Sequence, residues 1–324
     1  MSSFLDPAIL FFLIGIFAGL VRSNLEIPPQ IARFLALYLL MALGLKGGFA
    51  LAKTGFTLEV IEGLLAALFL ATLIPLVSYQ LLKRLVSPFD AAAIAATYGS
   101  VSAVTFITTV QYLDTHGIAY SGHMAAAMAL MESPAIIMAV LFANAARRQV
   151  NAASIHSSSP IMHVLHESFT DGAQLLLLGA MLVGYVSGES GKAMMAPFSI
   201  DLFKGMLAFF LLDMGLSTAK NLSHLKGTSP LLIAYGVLGP IFHAGIAFVL
   251  GSLLGLSHGD AALLMVLAAS ASYIAVPAVV RYAIPEAKAS LYFGLSLGVT
   301  FPLNIIFGIP IYVDMASRLF SVGG

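Results

Sequence analysis

Two polar stretches interrupt long apolar segments, and their residue types suit the binding of a small anion. They read "AATYGSVSAVTF" (95–106) and "LAASASYIAVPAVV" (267–280). Glycine, serine and proline weaken or break helices, and a helix that restarts after a break presents unbonded N–H groups and the positive end of its dipole. Two such helix starts facing each other would form an anion site with N–H donors near 101–103 and 272–274. The hydroxyl donors would be Ser100, Ser102, Thr105, Ser270 and Ser272.

The charge of these stretches narrows the class of anion. Neither stretch contains lysine or arginine, so the site offers dipoles and hydrogen bonds instead of a full positive charge. This favours a small monovalent oxyanion over a dianion. The alternative is that the serines and threonines bond to helix carbonyls or join neighbouring helices, as small polar residues in membrane helices do. The matching of two breaks in two segments favours the anion site.

Three ionisable residues lie well inside apolar segments. Charge within a membrane is costly, so Glu132, Asp213 and His243 each mark a candidate functional position. The alternative for Glu132 is a protonated carboxyl bonded within the core. For Asp213 and His243 the preferred interpretation is structural, with a neutral, hydrogen-bonded imidazole at His243.

Glu132 also lies where a sodium ion would find oxygen ligands. Pro134 loosens its helix and frees backbone carbonyls. The corresponding segment of the second half, "GVTFPLNII" (298–306), contains two more oxygen-bearing side chains. Hard cations prefer oxygen ligands. The predicted sodium ligands are Glu132, Ser133, Thr300 and Asn304.

The composition indicates a membrane protein. Of 324 residues, 60% are hydrophobic and 9% are charged, whereas soluble domains have about a quarter charged residues. The formal net charge is zero, which leaves no electrostatic basis for nucleic-acid binding. The chain has no cysteine, which excludes disulfides, thiolate nucleophiles and cysteine-bound metals. No nucleophile and base stand in a catalytic pattern, so we do not expect an enzyme.

Helical membrane spans need about 20 mostly apolar residues, and ten segments approach this length. The N-terminal segment is interpreted as the first of these spans and not as a cleaved signal. The predicted spans are 7–22, 30–50, 59–83, 88–113, 119–146, 165–187, 200–220, 230–256, 259–282 and 287–316.

The two halves of the chain repeat. Asp90 aligns with Asp260 and Ser102 with Ser272, and the offset stays between 165 and 171 residues over four segments. Because each half has five spans, the second half must enter the membrane from the opposite side, which makes the repeats inverted. Spans 4 and 9 are the corresponding discontinuous helices. The predicted divisions are a first repeat (1–150), a cytoplasmic linker (151–164) and a second repeat (165–324).

The basic residues predict the orientation. Ten lie on the side of loops 1–2, 3–4, 5–6, 7–8 and 9–10, and five lie on the other side. The richer side should be cytoplasmic, which puts both termini outside. The ten are Arg22, Arg33, Lys83, Arg84, Arg147, Arg148, Lys220, Lys226, Arg281 and Lys288. The five are Lys46, Lys53, Lys192, Lys204 and Arg318.

Four motifs carry a family resemblance that runs along nearly the whole chain. They are "MALGLKGGFAL" (41–51), "AAAIAATYGSVSAVTF" (91–106), "LMESPAI" (130–136) and "AASASYIAVPAVV" (268–280). Together they resemble the sodium-dependent bicarbonate transporter family, known from cyanobacterial carbon concentration. The glycine-serine stretch of span 4 is the most specific of the four.

The resemblance implies an all-α membrane protein of ten spans in two inverted five-helix repeats. Discontinuous spans 4 and 9 would cross in a core domain beside a gate domain, with bicarbonate near the crossing and sodium beside it as the coupling ion. It further implies a homotrimer in the lipid bilayer and a regulatory protein of the PII type on the cytoplasmic face. Carried over by motif, the anion-site residues are Gly99, Ser100, Ser102, Thr105, Ser270, Ser272 and Tyr273.

The sequence therefore predicts a sodium-coupled bicarbonate symporter of the bacterial inner membrane, without a resident cofactor. The alternatives are a sodium-coupled organic-anion symporter and a sodium–proton antiporter of similar architecture. An antiporter requires a titrating carboxylate at the helix crossing, whereas Asp90 and Asp260 lie only at the entrances of spans 4 and 9. A membrane receptor or scaffold would leave both helix breaks unexplained.

Overall fold

A computed structural model describes residues 6–55, 57–150, 172–222, 225 and 227–321, and the predicted linker (151–164) lies outside these residues. Every regular element in the described residues is helical. The α-helices are α1 Pro7–Leu20, α2 Pro29–Thr54, α3 Leu58–Leu82, α4 Pro88–Gly99, α5 Ala103–Thr115, α6 His123–Val150, α7 Gly172–Ala196, α8 Phe203–Leu222, α9 Pro230–Leu254, α10 His258–Ala269, α11 Ala275–Ala283, α12 Ala289–Leu295 and α13 Ile309–Ser321. Between α12 and α13 the helix continues through π turns at Ser296–Thr300 and Asn304–Gly308, separated by the helical turn Phe301–Leu303.

Seven helical runs among the described residues are long and apolar enough to cross a membrane. Three features separate this count from the ten predicted spans. The run Gly172–Leu222 counts once, although Gly188 has a non-helical backbone and a π turn at Pro197–Asp201 separates α7 from α8. The helices α1 and α10 are apolar but short, at 14 and 12 residues.

The two polar stretches break their helices, as predicted. One helix ends at Gly99 and restarts at Ala103, and the other ends at Ala269 and restarts at Ala275. Nearly all of α4 and α10 is buried, and both helices are rich in alanine, which lets neighbouring helices approach closely. The split helices therefore occupy the centre of a bundle that also contains α3, α6, α9 and the helix from α12 to α13.

An aspartate near the start of each split helix ties it to the other half of the chain. Asp90 in the first turn of α4 bonds with the capping hydroxyl of Ser87, and it accepts the Lys288 N–H at 2.7 Å. Asp260 in α10 accepts the N–H and the hydroxyl of Ser121 at 2.7 and 2.6 Å. The Asp90 carboxylate thereby fixes the segment that leads into α12, and the Asp260 carboxylate fixes the segment that leads into α6. These two contacts, the clasps, hold the two halves of the chain together.

The remaining four helices, α1, α2, α7 and α8, form a second layer of two pairs. Each of these exchanged pairs joins a helix of the first half with a helix of the second half. Helix α1 packs along α8, and α2 packs along α7. Glycines make both contacts close: Gly15 lies against Gly215, and Gly48 lies against Gly184. A Cβ atom on Gly15 or Gly48 would overlap a backbone oxygen of the partner helix.

We expect Gly184→Ala to destabilise the protein by about 1–3 kcal/mol, the usual cost of overpacking. Its Cβ atom would lie 2.6 Å from the Leu45 carbonyl oxygen and 3.2 Å from the Gly48 Cα atom. Gly179→Ala in the same helix is the matched control, since its Cβ atom would have no neighbour within 4 Å. Thermal unfolding of both variants in the same detergent measures the difference. Equal midpoints would contradict the close contact of α2 with α7.

Candidate functional site

Direct hydrogen bonds join the two helix breaks. The Ser102 N–H donates to Ser270 Oγ at 2.9 Å, and the Ser272 N–H donates to the Thr97 carbonyl at 2.8 Å. These two N–H groups, which lie in the segments predicted to donate to an anion, are thus hydrogen-bonded within the protein. Backbone N–H groups that are left unbonded at each break find acceptors in the other split helix, so the two breaks satisfy each other's hydrogen-bonding groups.

The start of α5 still offers donors. Ser102 Oγ caps this helix by accepting the Thr105 N–H at 3.2 Å, and it also accepts the Thr105 hydroxyl at 2.9 Å. The first N–H groups of a helix have no acceptor within it. For α5 these belong to Ala103 and Val104, and both residues line a cavity at the break. The positive end of the α5 dipole points to the same place.

This cavity has a volume of about 100 Å³ and lies between the two breaks and helices α2, α6 and α7. Most of its lining is apolar, with a few polar groups that converge on one space, which is typical of small-ligand sites. Space of this size holds several water molecules or one small anion. The polar side chains of the lining are Ser102, Ser272, Tyr273, Glu132 and Gln174.

Glu132 is the carboxylate of this cavity, and its partner comes from the other helical layer. Gln174 Nε2 of α7 donates to Glu132 Oε2 of α6. Gln174 is not among the site residues predicted from the sequence, although its isolated amide in the apolar run "GAQLLLLGA" is a signal for it. The hydrogen bond crosses from the central bundle to the layer of exchanged pairs.

The other predicted anion-site residues shape the breaks and are not among the residues that line the cavity. Gly99 packs against the ring of Pro75, where a Cβ atom would lie 2.5 Å from Pro75 Cγ. Ser270 Oγ donates to a carbonyl of its own helix while it accepts the N–H from the other break. Thr105 is bonded to the capping serine. Ser100 is fully buried, and its Oγ has no hydrogen-bond partner in the described part of the chain.

The four predicted sodium ligands are not gathered around one cavity. Glu132 lines the cavity at the breaks, and Ser133 is buried beside it, but Thr300 and Asn304 are not in its described lining. Thr300 Oγ1 lies 2.6 Å from the Tyr98 hydroxyl and donates to the carbonyl of a neighbouring helix at 2.7 Å. The described residues hold no cluster of three or more His, Cys, Asp or Glu side chains suited to a metal.

Thr300 and Asn304 have a bracing role in this arrangement. Asn304 Nδ2 donates to the Ala269 carbonyl at 2.8 Å, the last residue of α10 before its break. Thr300 ends one π turn and Asn304 begins the next, on either side of Pro302. Proline lacks an N–H and disrupts regular helical bonding. The side chains near it therefore point at neighbouring carbonyls that the breaks and bends leave open.

Tyr273 connects the second break to α8. Its hydroxyl lies 3.6 Å from Met214 Sδ, next in sequence to the half-buried Asp213. His243 lies elsewhere: it is buried near Tyr235, and its Nδ1 atom has no hydrogen-bond partner among the described residues. Burial at His243 agrees with the structural role expected for it, and the predicted hydrogen bond is not formed at Nδ1 within the described residues.

The chain matches the family model described as the Na⁺-dependent bicarbonate transporter superfamily over residues 7–317. The match includes both helix breaks and the cavity between them. No curated protein matches the chain. The family that the sequence motifs predicted is therefore confirmed. This chain belongs to the Na⁺-dependent bicarbonate transporter superfamily and is a multi-pass membrane transport protein, not an enzyme.

Proposed function

We propose that the protein is a secondary active transporter that takes up bicarbonate with sodium across the bacterial inner membrane. The cavity at the helix breaks carries this proposal. It places the first turn of α5 and the hydroxyls of Ser102, Ser272 and Tyr273 around one small space, with Glu132 on its wall. A small monovalent anion fits the donors, and a cation fits the carboxylate.

Bicarbonate would be held mainly by neutral donors. The N–H groups of Ala103 and Val104 point toward the cavity end of α5, where the helix dipole is positive. Ser102 and Ser272 supply hydroxyl groups from the two breaks. Because the lining contains no lysine or arginine, the anion is not bound too tightly to leave.

Glu132 makes the binding of anion and cation interdependent. An ionised carboxylate on the wall of a small apolar cavity repels an incoming anion, and the repulsion is strong because screening is weak there. A sodium ion bound beside Glu132 removes this repulsion. Sodium is therefore the coupling ion, and the Glu132–Gln174 hydrogen bond is the contact that it would rearrange.

We further propose the inverted-repeat architecture, with repeats at 1–150 and 165–324. The exchanged pairs α1 with α8 and α2 with α7, and the matching clasps at Asp90 and Asp260, support it. In this scheme the exchanged pairs form the gate domain and the bundle around the breaks forms the core domain. Relative movement of the two would break the Glu132–Gln174 bond.

Orientation and assembly complete the proposal. The basic residues put the segment after α6 in the cytoplasm and both termini outside, and the family resemblance indicates a homotrimer and a PII-type partner on the cytoplasmic face. Arg147 would contribute little positive charge to the binding of such a partner, because Glu286 already pairs with it. Its guanidinium donates twice to Glu286, at 2.8 Å each, and holds the pKa of that carboxyl below its usual value.

Uptake of labelled bicarbonate into proteoliposomes tests the function. With a sodium gradient directed inward, we expect uptake far above that of protein-free vesicles, and a strong reduction when potassium replaces sodium. Gly179→Ala, which meets no neighbour, serves as a folded control. Uptake that is equal with and without sodium would contradict sodium coupling.

Sodium–proton exchange is the second candidate, and one observation favours it. Glu132 lines the cavity between the helix breaks, so a titratable carboxylate lies nearer to the breaks than the entrance residues Asp90 and Asp260. A pH-sensitive dye inside the same vesicles separates the two. An internal acid shift driven by outward sodium flow in the absence of bicarbonate would identify proton exchange, because each sodium ion that leaves is replaced by an entering proton.

A further inference from the structure

A second cavity, of about 460 Å³, collects four lysines at one end of the molecule. They are Lys46 and Lys53 of α2, Lys192 of α7 and Lys204 of α8. These are four of the five basic residues that the sequence assigns to the outer face. Lysines far apart in the chain converge here because α7 and α8 pack beside α2.

The cavity carries an excess of positive charge. Lys46 pairs with Asp114 at 3.0 Å, and Lys192 lies 3.8 Å from Glu189. No carboxylate of the described residues pairs with Lys53 or Lys204. Asp114 and Glu189 are the acidic side chains of the described lining, so lysines outnumber carboxylates by two. The whole chain is neutral, which makes this excess a local feature.

The same helices line both cavities. Leu40 of α2 lines the cavity at the breaks, and Lys46 lines the lysine cavity. These positions are about 9 Å apart along the helix axis at 1.5 Å per residue. Helix α5 starts at the first cavity with Ala103 and reaches the second at Gln111 in its last turns. The lysine cavity therefore lies at the far end of the helix whose positive end faces the proposed anion site.

We propose that the lysine cavity is an outer vestibule that gathers small monovalent anions and holds them weakly before they enter the site between the breaks. As the vestibule of that site, it rests on the proposed function. A cleft lined by one sign of charge concentrates the opposite ion and raises its association rate. Salt screens such an effect within about 10 Å at 0.1 M. The neutral donors of the inner site keep the anion mobile, while the lysines supply the attraction that this site lacks.

A chemical probe tests the charge of the vestibule without any transport measurement. Because the chain has no cysteine, Ile200→Cys creates a single thiol in the lining. An anionic and a cationic methanethiosulfonate are added from outside, and the ratio of the anionic to the cationic modification rate is measured. We expect this ratio to be about tenfold higher with the native lysines than in a Lys53→Gln/Lys204→Gln background. Arg84→Gln, an exposed charge on the predicted opposite face, should leave the ratio unchanged. An equal ratio with and without the two lysines would overturn the proposal.

Transport then tests whether the vestibule serves the inner site. At low ionic strength, Lys53→Gln/Lys204→Gln should raise the bicarbonate concentration for half-maximal uptake several-fold, and the Lys53→Arg/Lys204→Arg variant should restore it. At high ionic strength the wild-type protein and the glutamine variant should converge. A wild-type salt dependence in the glutamine variant would overturn this role. If the wild-type protein carries no bicarbonate, the proposed function fails, and the thiol ratio alone decides whether the cavity attracts anions.

Discussion

Alanine in place of Ser102 or Ser272 is expected to raise the bicarbonate concentration for half-maximal uptake by about ten- to a hundredfold. A lost hydrogen bond to a charged group is worth about 1.5–3 kcal/mol, which corresponds to that change in affinity. Both hydroxyls line the cavity between the breaks, one from each split helix. Sodium affinity measured without bicarbonate should change much less.

The capping role of Ser102 requires a control, because loss of a helix cap costs about 1 kcal/mol of stability. Ser296→Ala provides one. Its hydroxyl is buried and bonds back to the Tyr292 carbonyl at 2.7 Å, so its removal has a similar structural cost away from the cavity. Thermal unfolding should place all three variants close together, and Ser296→Ala should transport normally. Unchanged bicarbonate affinity in both Ser102→Ala and Ser272→Ala would exclude the anion site at the breaks.

Glu132→Gln is expected to raise the sodium concentration for half-maximal uptake by about tenfold or more, the loss of a charged ligand being worth at least 1.4 kcal/mol. The variant should fold, since a glutamine oxygen can still accept the Gln174 amide. By thermodynamic reciprocity, its bicarbonate affinity should respond less to sodium. Sodium titrations of uptake at several bicarbonate concentrations measure both effects.

A second acidic residue controls for charge removal in general. Asp213→Asn removes a half-buried carboxylate of α8 outside the described cavity lining, and it should leave the sodium requirement near that of the wild-type protein. A wild-type sodium requirement in folded Glu132→Gln protein would move the coupling site away from this residue. The remaining oxygen donors at the breaks would then have to bind the cation without a carboxylate.

The helix breaks were predictable because their causes are local. Glycine and serine end α4 within a few residues of the expected position, and a serine followed by proline at the first helical position marks the starts of α4 and α9. The length of the second-half helices was less predictable. Span 6 was expected to end at 187, yet helical structure resumes after the non-helical Gly188 and runs to Ala196, since a single glycine can take an unusual backbone conformation without ending a helix.

The pairing of polar groups across the structure could not be read from spacing alone. The predicted sodium ligands include Glu132 and Thr300, and the structure shows hydrogen-bond partners that the sequence did not indicate: Gln174 for Glu132 and Tyr98 for Thr300. The sodium site stays a prediction. Equivalent positions in a sequence repeat need not be in contact in the folded protein. The lysine vestibule was hidden for a related reason: the sequence placed its members on one face, and only the packing of α2 against α7 showed that they share a cavity.

The clasps at Asp90 and Asp260 bear on biogenesis. During synthesis helices α1–α6 reach the membrane while Lys288, whose backbone N–H bonds to Asp90, is still to be translated. Helix α1 likewise waits for α8, and the glycine face of α2 waits for α7. The first half is therefore not an independent folding unit. The Asp90 carboxylate, which is buried in the complete protein, stays accessible to the translocation machinery until the second half is inserted. A chain arrested between the halves would be a substrate for membrane quality control, and the native protein would appear only after the last helices are inserted.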